Sequence, residues 1–219
     1  MNFLFHMLLS GGDDQILVGN LMGDFVKGSL EGRFQEPIRQ GVALHRRIDS
    51  FASRSELFQQ SRRRIDPHYG LYRGVMVDLF YDHILVKEWN NWSDEPFNDY
   101  LARCKVIIMQ NRKELPEQLQ KLVPYIFEEL LPSYGEVRGI GKALERMSRR
   151  VTRTNPLAGG EVELELHYDG LLADFIDFMP MVSSFVTEEL AKSCDVKSER
   201  IRNVDVKQRE LLFLALQII

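Results

Sequence analysis

The chain has 219 residues, a formal net charge of −4, 44% hydrophobic and 27% charged residues. That is enough for one sizeable core with the composition of a soluble globular protein, and the mild acidity gives no overall reason to expect nucleic acid binding. Two cysteines, Cys104 and Cys194, without CxxC spacing, point to a reduced intracellular protein with no thiol chemistry. The apolar opening MNFLFHMLL lacks a basic leader and a small-residue cleavage site. No apolar run is read as reaching the roughly 18–20 residues that span a bilayer. A cytoplasmic protein without a membrane partner is therefore expected.

Nearly every segment reads as helix, and none alternates with the period of a strand. Residues 2–9 form a short apolar helix ended by Ser10-Gly-Gly-Asp-Asp. A second helix is expected over 15–27, closed by Gly28, with Leu17, Asn20, Leu21 and Asp24 on one face. Pro37 suits the first turn of a helix running to Ala52. Its apolar arc of Ile38, Val42, Ile48 and Ala52 contains His45 and Asp49, one turn apart. A short helix over 55–64 precedes the break at Asp66-Pro67.

Val75–Trp89, VMVDLFYDHILVKEW, is apolar all round its wheel, the pattern of a buried helix. Asp78 and Asp82 sit one turn apart on one face, with His83 next to them. Two adjacent carboxylates out of water need a cation, a metal or a shared proton, unless the face meets solvent or an arginine. Further helices are expected over 93–113, with Ser93 as N-cap, and over 116–131, with an offset at Pro124. Two more cover 136–151 and 161–192, the latter one long helix kinked at Pro180. His167 and Asp169 lie near its start. Residues 1–192 are expected to form a single-domain helical bundle. Residues 193–219 add a linker and an apolar tail, LLFLALQII, which must pack on the body or on a second subunit and so leaves a homodimer open.

Charge is uneven. Residues 33–73 hold nine arginines, no lysine and four acids, a net +5 that leaves −9 elsewhere. Such a face suits an anionic partner, and arginine suits phosphate; a solvated surface of ordinary ion pairs is the alternative. Asp24, His45 with Asp49, and Asp78 with Asp82 and His83 lie on three helices that can converge on one point, as helical bundles do around metals. A thiolate-free set of imidazole and carboxylate suits Mn²⁺, Fe²⁺ or Mg²⁺, leaves Zn²⁺ open and does not suit a structural zinc cage.

The order and spacing of MNFLFHMLLS, GNLMGDFVKG (19–28), GVALHRRIDSF (41–51), VDLFYDHILVKEW (77–89), MSRR (147–150) and HYDGL (167–171) closely resemble the bacterial acyl-carrier-protein phosphodiesterase family. The combination of GN-x4-DF, HRRID and D-x3-DH is the specific part. The resemblance implies an all-α, HD-phosphohydrolase-like fold that hydrolyses the diester joining 4′-phosphopantetheine to a serine of holo acyl carrier protein. Mn²⁺ is the implied ion, with Mg²⁺ or Fe²⁺ as substitutes. It nominates Asp24, His45, Asp78, Asp82 and His83 as metal or catalytic groups and Asp49 as a further ligand or supporting partner. Arg46 and Arg47 become phosphate or carrier-protein contacts. Arg62, Arg63 and Arg64 fall to carrier docking through their charge. His6 matches the family start too, although the histidine two positions on is here Leu8. A nucleotide or other small phosphoester as substrate, and a non-catalytic helical binding protein, are the alternatives.

Overall fold

A computed structural model describes the backbone of residues 1–195 and the side chains of residues 1–192; the expected apolar tail lies outside the described residues. No strand occurs among the described residues. The α-helices are α1 (Phe3–Leu8), α2 (Asp14–Leu21), α3 (Glu36–Arg54), α4 (Glu56–Arg64), α5 (Arg73–Lys87), α6 (Phe97–Gln110), α7 (Glu117–Tyr125), α8 (Leu131–Ser133), α9 (Val137–Arg150), α10 (Glu161–Leu166) and α11 (Tyr168–Asp195). The described residues form a single all-α domain.

α5 is the axis. Every residue from Gly74 to Leu85 is buried, because α1, α4, α9 and α11 all pack on it. A helix covered on every side needs no polar face, which is why its apolar residues run right round. Phe5, Phe58, Tyr81, Phe175 and Phe178 interlock between α1, α4, α5 and α11 in edge-to-face, tilted and offset-stacked pairs with centroids 5.2–6.4 Å apart, an arrangement that rings prefer.

α2 and α3 approach so closely that their backbones touch. A Cβ on Gly19 would stand 2.1 Å from the Ile38 carbonyl oxygen, and one on Gly41 would stand 2.3 Å from that of Ile16. Two glycines therefore set the distance between these helices. That closeness brings the end of α2 within hydrogen-bond reach of α3.

Several boundaries differ from expectation. α2 is capped by the Asp13 carboxylate, which accepts from the Gln15 and Ile16 amides, and it stops at Leu21. A 3₁₀ turn over Gly23–Phe25 then carries Asp24. Ser93 does not cap α6. Pro96 occupies that position, and the Ser93 hydroxyl accepts from the Glu95 amide at 3.2 Å. After Pro124 the chain does not end its helix but passes through a π turn at Ile126–Leu130; such bulges let a helix absorb a proline. The helix expected over 161–192 is two, parted at His167, where the backbone leaves helical geometry at φ −113, ψ 15.

Tyr168–Lys192 contains an 18-residue window with a mean hydropathy of 1.3, so among the described residues one helix is long and apolar enough to cross a membrane, contrary to expectation. In the fold it is a core helix. Leu171, Phe175, Phe178, Met179 and Val182 are buried, and Asp174 on the same helix takes a two-pronged ion pair from Arg64 at 2.8 and 3.0 Å.

Candidate metal centre

Three elements bring the centre together: α1 supplies His6, the 3₁₀ turn Asp24, and α3 His45 with Asp49. The turn can lie on the His45 ring only because residue 23 has no side chain, since a Cβ there would stand 2.1 Å from His45 Cγ. His6 and His45 stack with ring centres 3.7 Å apart and planes 15° from parallel. Ligand atoms of His6, His45 and Asp49 all lie within 4.8 Å of one another. Asp24 joins them, its Oδ1 3.2 Å from His45 Nε2.

The hydrogen bonds say which nitrogens face inward. His45 Nδ1 lies 2.8 Å from the Asn20 carbonyl oxygen, which can only accept, so Nδ1 holds the proton. Nε2 then points its other side at Asp24 and at Asp49 Oδ2, 3.3 Å away. His6 Nδ1 is bonded to the Asn20 side chain at 3.0 Å. Its Nε2 is buried without a hydrogen bond, 3.2 Å from Asp49 Oδ1. A ring lone pair facing a carboxylate oxygen is repulsive unless a proton or a metal ion lies between them. The orphaned Nε2, the stacked rings and the two acids thus fit a divalent cation.

The titration pattern agrees. Burial, outweighed by Asp49 and Asp24, leaves His45 raised to about 9. Burial and the neighbouring His45 charge lower His6 to about 4. Against burial, His45 holds Asp24 below the usual carboxylate range. The Met1 ammonium and His45 hold Asp49 well below it. Without metal one proton, on His45, serves four ligand groups.

Asp78 and Asp82 are met from elsewhere. The Met1 α-ammonium is buried 3.0 Å from Asp49 Oδ1 and 3.2 Å from Asp78 Oδ1. Those acids raise it to about 11 despite burial. Asp82 lies against the first turn of α1 and accepts from the Leu4 and Phe5 amides at 3.1 and 3.0 Å, where orphan N–H groups and the helix dipole favour an anion. Burial still pushes Asp82 up to about 8 and Asp78 to about 6. The cation and donors that this acidic pair requires thus come from the N-terminal segment. With Asp82 protonated and the ammonium shared between Asp49 and Asp78, the ionised acids Asp24, Asp49 and Asp78 leave a net two negative charges beside the histidines, a match for a divalent ion.

The remaining sequence candidates have other partners. His83 donates from Nδ1 to the Tyr134 carbonyl at 2.7 Å and meets Tyr168 edge-on at 6.0 Å. His167 Nε2 is 3.6 Å from Glu163, and Asp169 is an exposed residue in the first turn of α11. Arg46 ties the loop after the 3₁₀ turn to α3, donating to the Val26 and Gly28 carbonyls at 2.9 and 3.0 Å. Arg47 pairs with Glu189 on α11. Arg64 grips buried Asp174, to which Ser61 and Gln60 also donate at 2.9 and 2.8 Å, so part of its charge is committed to the core. Arg63 pairs with exposed Glu56, and Arg62 donates to Gln59 at 3.2 Å.

Asn20 was not among the sequence candidates, although its presence on a buried face and in the GN-x4-DF pattern was a usable signal. It is fully buried and touches both histidines.

Fold and site together define an all-helical protein with a buried imidazole–carboxylate centre. A family profile described as acyl carrier protein phosphodiesterase matches residues 1–182, and the chain belongs to that family. Its relatives include proteins named acyl carrier protein phosphodiesterase from Pectobacterium atrosepticum, 32% identical over 87% of this chain and 100% of the relative, and from Yersinia pestis, 30% identical over 82% and 94%. A third, from Klebsiella pneumoniae strain 342, is 30% identical over 83% and 95%. No solved structure matches the chain.

Proposed function

We propose that the protein is a metal-dependent phosphodiesterase that releases 4′-phosphopantetheine from the serine of holo acyl carrier protein. The observation that carries the metal is the orphaned, buried His6 Nε2 beside His45 and Asp49; the substrate rests on family membership. Two imidazoles with carboxylates and no thiolate suit Mn²⁺, with Mg²⁺ or Fe²⁺ as substitutes.

His6, His45, Asp49 and Asp24 would hold the ion. When bound, a divalent ion supplies Lewis-acid polarisation of the phosphodiester and acidifies its water. His45 gives up its extra proton to accept it. Asp49, at 13% exposure against 1–7% for the other three side chains, is the most accessible of the four groups and marks the side nearest solvent. The depressed pKa values of Asp24 and Asp49 keep both ionised, as ligands to a cation must be.

The test is incubation of holo carrier protein with the enzyme and Mn²⁺, following apo protein and released 4′-phosphopantetheine, beside a panel of nucleotides and simple diesters. Turnover of nucleotides with carrier protein untouched would overturn the substrate. Purified protein that binds no divalent ion would overturn the centre.

A further inference from the structure

Asn20 meets the two histidines with two different atoms, and each fixes a proton. Its side-chain nitrogen lies 2.7 Å from the His6 carbonyl oxygen and 3.0 Å from Ser10 Oγ. A backbone carbonyl only accepts, so the NH₂ of the amide must be the group facing it. Ser10 reinforces this, since its own hydroxyl donates to the same carbonyl at 2.8 Å and leaves its oxygen to accept from the amide. The amide oxygen is then the atom 3.0 Å from His6 Nδ1, and His6 Nδ1 must carry hydrogen. The backbone oxygen of Asn20 imposes the same state on His45.

We propose that Asn20 is the positioning residue of the centre. Its side-chain oxygen sets His6 and its main-chain oxygen sets His45 as the Nδ1–H form, so that both Nε2 lone pairs point at one cation. Asn20 touches no substrate and acts through the two rings. The close packing of α2 on α3 at Gly19 and Gly41 delivers its carbonyl to His45, while the turn at Ser10 delivers its amide to His6. The consequence for metal affinity rests on the metal reading above; the protonation pattern does not.

The two contacts differ in one testable respect: substitution can remove the side-chain oxygen but not the main-chain one. Asn20→Leu should therefore release His6 and leave His45 held. In long-range ¹H–¹⁵N spectra of metal-free protein at neutral pH, wild-type His6 is expected to carry its proton on Nδ1. In Asn20→Leu it redistributes toward Nε2, where Asp49 can accept, while the His45 Nδ1 proton stays. Mn²⁺ affinity, read by electron paramagnetic resonance, should fall roughly 10–100-fold, the usual cost of losing a group that orients a ligand. Ser10→Ala, which keeps the amide but removes one of its two anchors, should shift His6 less in the same direction.

An Nε2–H His6 in the wild type overturns the inference, and does so even where Asn20→Leu fails to fold. So does an Asn20→Leu protein whose histidines are both unchanged, or both altered together, as general loosening would produce. A wild type with the expected protonation that binds no Mn²⁺ would sink the metal reading alone.

Discussion

α3 and α5 carry the same signature, ionisable groups one turn apart on a buried face, and the fold treats them in opposite ways. On α5, Asp82 is answered by two amides at the start of α1, and Asp78 is matched in charge by the Met1 ammonium 3.2 Å away, although its Oδ1 makes no hydrogen bond. On α3, His45 and Asp49 are aimed at each other, at His6 and at Asp24, with a ring nitrogen left bare. A satisfied buried acid holds elements together, whereas a convergent set with too few protons to go round is waiting for a cation. The N-terminal segment joins the two, giving α5 its donors and the centre its His6.

The largest expected effect falls on the α3 side. His45→Ala or Asp49→Ala removes a ligand and should abolish Mn²⁺ binding and carrier-protein hydrolysis, read by metal analysis and product release. The metal-free protein should also lose stability, because each substitution leaves buried charges without a partner, so metal is measured on the protein that stays folded. Retained metal in both variants would erase the distinction between the helices.

On the α5 side, Asp82→Ala should act in reverse. It strands the Leu4 and Phe5 amides, at about 1–3 kcal/mol for each buried donor left unmade, read in urea or thermal unfolding. The protein that stays folded should still bind Mn²⁺. Loss of the ion without loss of stability would make Asp82 a ligand after all.

A pH series sharpens the same contrast. In metal-free protein His45 is raised to about 9, so the stability from its charged form is complete below the unfolded value of 6.5 and lost as pH rises through about 9. His6, lowered to about 4, is already neutral, and Asp24 and Asp49 are already ionised. Ion uptake near neutrality must therefore displace one His45 proton. Apparent Mn²⁺ affinity should rise about tenfold per pH unit until about pH 9, with one proton released in calorimetry across buffers. Asp82, at about 8, titrates in the same window but bonds to α1, so Asp82→Asn should leave that slope in place. A flat profile would mean His45 does not carry the proton.

These contrasts also mark where sequence stops speaking. The helices, the buried α5 and the inward acids follow from periodicity along the chain, and the pairing of His45 with Asp49 is local to one helix. Which acidic pair stays open is not local. The donors that satisfy Asp82 come from residues 77 and 78 positions away in sequence. His6 reads as an isolated histidine in an apolar helix until α3 is stacked on it. The division at His167 was hidden because the residues on both sides form helix well; Glu163 is instead held by the Asp66 amide at 2.8 Å, a contact from across the fold.

The smallest expected effect separates two arginines one residue apart on α4. Charge alone makes Arg63 and Arg64 equal candidates for meeting an acidic carrier protein, but their surroundings divide them. Arg64→Ala leaves Asp174, 3% exposed, without its guanidinium, at a cost of about 3 kcal/mol, the low end for a broken buried pair because Arg64 itself is partly solvated. Arg63 lies in water against exposed Glu56, where screening leaves an ion pair little weight. Arg63→Glu should leave the melting curve unchanged and slow carrier-protein turnover a few-fold at low salt, with the difference vanishing as salt rises. Turnover of a small diester should not respond. Equal slowing of both substrates would take the arginine face out of docking and leave α4 a purely structural helix.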